Sequence, residues 1–249
     1  MLHGRRSHLS WRMTAAPPAS SAPPPSAVLF DFDGTLADTF PRVERLLPRL
    51  ARELGFLDPG EEGVRALRGR NMRSILSHLG IPWWKVPLVL WRARALLEAD
   101  PEIIPLFPGI VELLTDLDKA GIEWGILTSN GIDVVRRTLY QNGAPEPGWL
   151  EAGLGLSGKS KRIRRMAGRW GIPAGDLVLI GDETRDVDAA RKAQVPMVAV
   201  TWGYNTADAL REAGATRLAQ DVGELRRILL GKADESEAGK EGGVVDEQR

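Results

Sequence analysis

Four short apolar runs do most to restrict what this chain can fold into: Ala27–Phe30 (AVLF), Trp124–Leu127 (WGIL), Leu177–Ile180 (LVLI) and Met197–Val200 (MVAV). None of them alternates apolar with polar residues, so each needs covering on both faces, the condition of a strand buried inside a parallel sheet. Stretches with helical spacing separate and follow them, at Val111–Ala120, Ile132–Asn142, Lys161–Trp170, Val187–Ala193 and Ala207–Ala213. Strand and helix in alternation predict an α/β fold, a Rossmann-like parallel sheet with helices packed on it. One interval breaks the rhythm. From Asp31 to the second run is about ninety residues, where a crossover needs only about a dozen. Residues 41–105 read as helices with little strand character, which predicts a small helical cap domain inserted into a core made of residues 27–40 and 106–232.

The two ends have a different composition. Residues 1–26 carry three arginines, no acidic residue and the run AAPPASSAPPPS, and are expected to form a disordered leader without the apolar segment of a secretory signal. Residues 233–249, charged and glycine-rich, are expected to be a disordered tail. Lys plus Arg equals Asp plus Glu at 33 each, so no net field draws the chain to nucleic acid or to an anionic membrane, and neither is expected as a partner. There is no run of eighteen apolar residues to make a membrane-spanning helix. Cysteine is absent, which removes thiol nucleophiles, thiolate metal sites and disulfides together and suits a cytoplasmic location. Of the three histidines, His3 and His8 lie in the leader and His78 in a charged helical stretch, which argues against a serine–histidine–aspartate site. Chemistry is left to carboxylates, lysine, hydroxyls and a metal held by oxygen.

In parallel sheets ligands gather beyond the carboxyl ends of the strands, and the reactive residues of this chain cluster there. The first run ends in DFDGTLADT (31–39), two carboxylates two positions apart with a glycine to turn the chain. The second ends in Thr128-Ser129-Asn130, and the third in GDETRD (181–186), with Asp182, Glu183 and Asp186.

Taken together, these segments resemble the motifs of the haloacid dehalogenase-like hydrolases, a superfamily of mostly magnesium-dependent phosphatases, and within it the phosphoglycolate-phosphatase-like branch. The resemblance spans residues 27–232. DFDGTLADT matches the family's D-x-D-G-T and L-x-D-[ST] in full, GILTSN its strand ending in Thr or Ser, and GDETRD its G-D-x-x-x-D. The resemblance implies a small phosphorylated metabolite as substrate and Mg2+ as cofactor. It makes Asp31 the nucleophile, which takes the phosphoryl group as an acyl phosphate, and Asp33 the general acid and base. Asp31, the backbone carbonyl of Asp33 and Asp182 would hold the metal, with Asp186 and Glu183 orienting ligands behind it. Thr128, Ser129 and Asn130 would meet phosphoryl oxygens. A lysine ahead of the helix before GDETRD would neutralise charge; Lys159 and Lys161 both qualify, and Lys159 is favoured because it follows Gly158.

That lysine sits in a stretch with a second reading. GLGLSGKS (153–160) spells the nucleotide loop G-x-x-x-x-G-K-[ST]. A nucleotide loop must follow a buried strand, and PEPGWLEA (145–152), rich in proline, is not expected to be one. Other positions also have plainer readings. Asp186 would pair with Arg185 or Arg191, and Thr128 would be an ordinary loop residue. The tryptophans of IPWWKVPLVLW (81–91) are expected to fill the core of the cap, or else one of Trp83, Trp84 and Trp91 faces the site or a partner. Beside a phosphatase stand a phosphomutase using the same two aspartates, a non-catalytic binding protein that keeps the fold, and more remotely a nucleotide hydrolase. Oligomeric state is not legible.

Overall fold

A computed structural model describes residues 23–67, 70, 72–99, 102–153 and 158–231. The leader up to residue 22 and the tail from residue 232 lie outside the described residues, as do residues 154–157 of the glycine-rich loop.

Among the described residues six parallel strands form one sheet in the order β3-β2-β1-β4-β5-β6. They are β1 (Ala27–Phe30), β2 (Glu123–Leu127), β3 (Trp149–Glu151), β4 (Leu177–Gly181), β5 (Met197–Val200) and β6 (Leu218–Ala219). Side chains alternate across a strand, and β1 shows what that asks of a central one. Val28 and Phe30 enter one apolar cluster, with Leu113, Leu114 and Leu117 of α5 (Ile110–Lys119), Val135 and Leu139 of α6 (Ile132–Gln141), and Leu225 and Leu229 of α10 (Val222–Leu230). Ala27 and Leu29 enter the other, with Ile163 and Met166 of α7 (Lys159–Trp170) and Ala189, Ala190 and Ala193 of α8 (Thr184–Ala193). Both faces are filled, which explains the unbroken apolar runs. Each such side chain contributes about 1.5–3 kcal/mol by leaving water.

Two strands are absent from the sequence-based expectation. β6 has two residues, and β3 lies in the proline-rich stretch expected not to be a strand. Both are at sheet edges. β3 is half-buried and pairs with β2 alone, so no continuous apolar run is required of it. The helix α10 went unnoticed with β6. The remaining helix, α9 (Ala207–Glu212), follows β5.

Between β1 and α5 lie α1 (Phe40–Leu54), α2 (Gly60–Leu67), α3 (Met72–His78), a 3-10 turn (Trp83–Lys85) and α4 (Val86–Ala99). The chain enters and leaves this helical insert through two segments bonded to each other, Asp38 N–H to the Pro105 carbonyl at 2.9 Å and Phe107 N–H to the Leu36 carbonyl at 3.0 Å. Asn142 pins the returning segment, accepting from Leu106 N–H and donating to the Ile104 carbonyl. The insert packs around Leu67, Leu79 and Ile81, with Leu47, Phe56 and Val89 partly buried beside them. The expectation that Trp83, Trp84 and Trp91 fill this core is overturned, because all three are exposed. Val86 and Val89 of α4 supply the inward face.

Candidate active site

Strand order reverses at the centre of the sheet: from β1 the chain goes to β2 and β3 on one side, while β4, β5 and β6 build the other. Loops leaving β1 and β4 part in opposite directions there and open a crevice at the strands' carboxyl ends. The register aligns Phe30 with Ile126 and Ile180, so Asp31 leaves the sheet level with Leu127 and Gly181, and Thr128 and Asp182 follow one residue on. Asp31, Thr128 and Asp182 are all buried.

Asp182 is fixed from two directions. Thr35 Oγ1 donates to one carboxylate oxygen at 2.7 Å and Tyr204 N–H to the other at 2.7 Å. This close approach explains Gly34: its φ is +75°, and a Cβ there would fall on the Asp182 carboxylate and the Tyr204 ring. Gly181 is constrained likewise, since a Cβ on it would meet Asp186 Oδ2 at 2.5 Å.

Asp186 is fully engaged as well, accepting from Lys159 Nζ at 2.6 Å and from Glu183 N–H at 3.2 Å. It pairs with neither arginine: Arg185 binds Glu183 at 2.6 Å, and Arg191 binds Asp188. Lys159, the first residue of α7, also brings its ammonium within 3.0 Å of Asp31 Oδ2, while Lys161 is exposed. Asp31 Oδ1 accepts from Phe32 N–H at 2.9 Å. Asp31 Oδ2 is buried without a hydrogen bond, near the Lys159 ammonium but out of alignment with it.

Asp33 is half-buried across the crevice mouth, where Asn130 Nδ2 donates to it at 3.2 Å and Thr128 Oγ1 lies 3.4 Å away. Thr128 Oγ1 in turn accepts from Asn130 N–H, and Ser129 is half-buried between them. Glu183, expected beside Asp186, is the N-cap of α8 and holds Arg185.

Burial dominates the electrostatics. It pushes Asp33 up to about 6, helped by the nearby charge of Asp31, and Glu183 up to about 7. Asp31 and Asp182 also rise, again chiefly through desolvation. Desolvation alone would lower Lys159, but the carboxylates of Asp186 and Asp31 more than offset it and hold the lysine charged. Oxygens of Asp31, Asp182 and Asp186 lie within 4.8 Å of one another. Three buried carboxylates converging on one point, with like charges that need an offsetting cation, fit a hard divalent ion, which takes oxygen ligands.

Four contributors were missed in the sequence. Thr35 stood inside the quoted motif without a role. Tyr204 and Asn205 follow β5, and Asn205 Oδ1 accepts from Thr184 N–H at 2.8 Å; their position beyond a strand's carboxyl end was the available signal. Arg185 has a buried Nε without a hydrogen-bond partner, and its charge bears on both Asp31 and Asp33.

Residues 28–200, from β1 to the end of β5, match the family model of haloacid dehalogenase-like hydrolases. The chain belongs to that family. Over 185 residues it is 32% identical to a phosphoglycolate phosphatase of Synechococcus elongatus, covering 74% of this chain and 87% of that protein. A phosphoglycolate phosphatase of Xanthomonas campestris is 32% identical over 199 residues, covering 74% of this chain and 86% of its own length. The crystal structure of a predicted phosphatase from Clostridium acetobutylicum superposes with a TM-score of 0.71 at 22% identity, over 84% of this chain and 99% of that one, and so shares the fold. Membership also decides the reading of GLGLSGKS. A strand, β3, does precede that loop, which removes one reason for setting the nucleotide reading aside. What replaces it is the lysine itself, which pairs with the buried carboxylates of Asp31 and Asp186.

Proposed function

We propose that the protein is a magnesium-dependent phosphatase of small phosphomonoesters, with 2-phosphoglycolate the first substrate to test, acting through an aspartyl phosphate on Asp31. The observation that carries this reading is Asp31 Oδ2, a buried carboxylate oxygen with no hydrogen bond, beside a lysine held in place by Asp186. That oxygen attacks phosphorus, and the bond to the leaving alcohol breaks. Asp33, raised to about 6, is partly protonated near neutrality and gives the alcohol its proton. As a carboxylate it then takes a proton from the water that cleaves the acyl phosphate, which frees Asp31. Lys159 offsets the repulsion between carboxylate and phosphate, and Thr128, Ser129 and Asn130 present donors to the phosphoryl oxygens.

Asp31, Asp182 and the Asp33 backbone carbonyl would hold Mg2+, with Asp186 at the edge of the cluster. The ion would neutralise phosphoryl charge and orient the ester. Residues 41–105 act as a cap over the leaving group, hung on the paired segments 36–38 and 105–107. The test is release of inorganic phosphate from a panel of phosphorylated metabolites including 2-phosphoglycolate, with and without Mg2+. Magnesium-dependent release, greatest on a short anionic ester, is expected. Isomerised sugar phosphate without phosphate release, or no turnover of any ester, would overturn the proposal.

A further inference from the structure

Thr39 stands at the N-cap of α1, where a threonine hydroxyl ordinarily accepts a backbone N–H of the first turn. Here it makes no such bond. The side chain is buried, and its Oγ1 lies 2.8 Å from the hydroxyl of Tyr204, 165 positions along the chain. A local cap has been given up for a long-range contact, and Tyr204 is fixed on three sides to make it. Its N–H donates to Asp182 at 2.7 Å. Its ring meets that of Phe40 edge-on with centroids 5.7 Å apart, and a Cβ on Gly34 would fall 2.5 Å from the same ring. Gly34 directly follows Asp33. The Thr39 hydroxyl reaches that carboxylate too, as a hydrogen bond that favours its ionised form, while the charge of Asp33 bears in turn on the phenol.

Two hydroxyls in sequence settle which way the protons point. An ionised Asp33 can only accept, so the Thr39 proton turns to it, and Thr39 Oγ1 is left to accept from Tyr204. We propose that Tyr204 is a positioning residue for the acid–base step, its hydroxyl orienting Thr39 and, through Thr39, the carboxyl of Asp33. The inference rests on the role proposed above for Asp33. From the other side Asp33 has Asn130 Nδ2 at 3.2 Å and Thr128 Oγ1 at 3.4 Å. Both contacts are long, and both residues also have phosphoryl oxygens to meet. Thr39 and Tyr204 are spared that competition. They hold Asp33 in place while its proton passes to the leaving oxygen, and again while it takes one from water. Neither hydroxyl gains or loses a proton over the cycle.

Tyr204→Phe removes the hydroxyl and keeps both the ring and the N–H to Asp182. On the alkyl ester the protein hydrolyses best, 2-phosphoglycolate being the first choice, the departing alkoxide needs a proton, and kcat/KM should fall about 10–100-fold, the effect of a misplaced group in the site. On p-nitrophenyl phosphate, whose phenolate leaves without a proton, the loss should be at least about tenfold smaller. Thr39→Val should show the same split between esters. In that background Tyr204→Phe should lower kcat/KM no further, since both substitutions break one chain of contacts. Circular dichroism checks that each variant is folded. Equal losses on the two esters, or losses that multiply in the double variant, would assign Tyr204 a structural role only and overturn the inference. So would a Tyr204→Phe chain with wild-type kcat/KM on the alkyl ester. Each of these leaves the phosphatase reading standing. A wild-type chain that hydrolyses neither ester overturns that reading, and this inference with it.

Discussion

The sheet region and the helical insert use apolar residues in opposite ways. In the sheet, Val28, Leu29 and Phe30 are each wholly buried, and the helices on the two faces hold the strands from both sides. In the insert, an apolar cluster gathers around Leu67, Leu79 and Ile81, while three tryptophans are exposed. The contrast follows from what each must hold. Carboxylates arriving from β1, β4 and α8 must meet within a few ångströms, which only an over-determined scaffold secures. A region hung on two bonded segments can vary its surface, and shift against the sheet, without disturbing that convergence.

The comparison is broken most severely by touching the convergence point. Asp31→Asn should lower turnover by about 10⁴–10⁶-fold with the melting temperature unchanged or raised, since it removes a desolvated charge; near-normal phosphate release would exclude Asp31 as nucleophile. A smaller loss, about 10²–10³-fold, is expected from Lys159→Ala, and less than tenfold from Lys161→Ala, measured as kcat/KM on one ester. Equal effects would show that the ion pairs to Asp31 and Asp186 have no catalytic consequence.

Stability should separate the two regions directly. Leu114→Ala in the sheet core should cost about 2–5 kcal/mol in urea unfolding, whereas Leu57→Ala, an exposed position of the insert, should stay within about 0.5 kcal/mol. Comparable costs would deny the contrast in packing.

The smallest effect ties metal to pH. Asp33 and Glu183 rise from 3.8 and 4.5 to about 6 and about 7, and Asp31 and Asp182 rise too. The folded chain thus binds more protons than the unfolded one between those values. The stability these groups contribute is full below 3.8 and is lost as pH climbs through about 6 and 7. A divalent cation offsets the repulsion among these carboxylates and competes with protons for Asp31 and Asp182, whose affinity for protons is also raised. Saturating Mg2+ should therefore raise the melting temperature by about 5–10 °C at about pH 8 and clearly less at about pH 5. Equal shifts at both would mean that the ion binds elsewhere.

Much was settled along the chain itself. β1, β2, β4 and β5 were legible because a strand covered on both faces must be apolar throughout, and the clustering of Asp31, Asp33, Asp182 and Asp186 at or just beyond strand ends was legible with them, while the roles proposed for these carboxylates came from the family resemblance. The long interval announced helices between β1 and α5 for the same local reason. Tertiary structure alone decided the rest. The edge strands β3 and β6 exist by pairing with a neighbour, and leave little trace in a run of two or three residues. Thr35 reaches Asp182 across 147 positions, and Tyr204 closes on the same carboxylate, because the sheet order brings β1, β4 and β5 to one crevice. Lys159 and Lys161 are equivalent by composition and differ only in which side of α7 faces Asp186. The tryptophans show the limit most plainly: a turn and helix with apolar residues on two faces have periodicity enough for both, and only packing with Leu47, Leu67 and Leu79 chose the valine side for the interior and left the indoles outside.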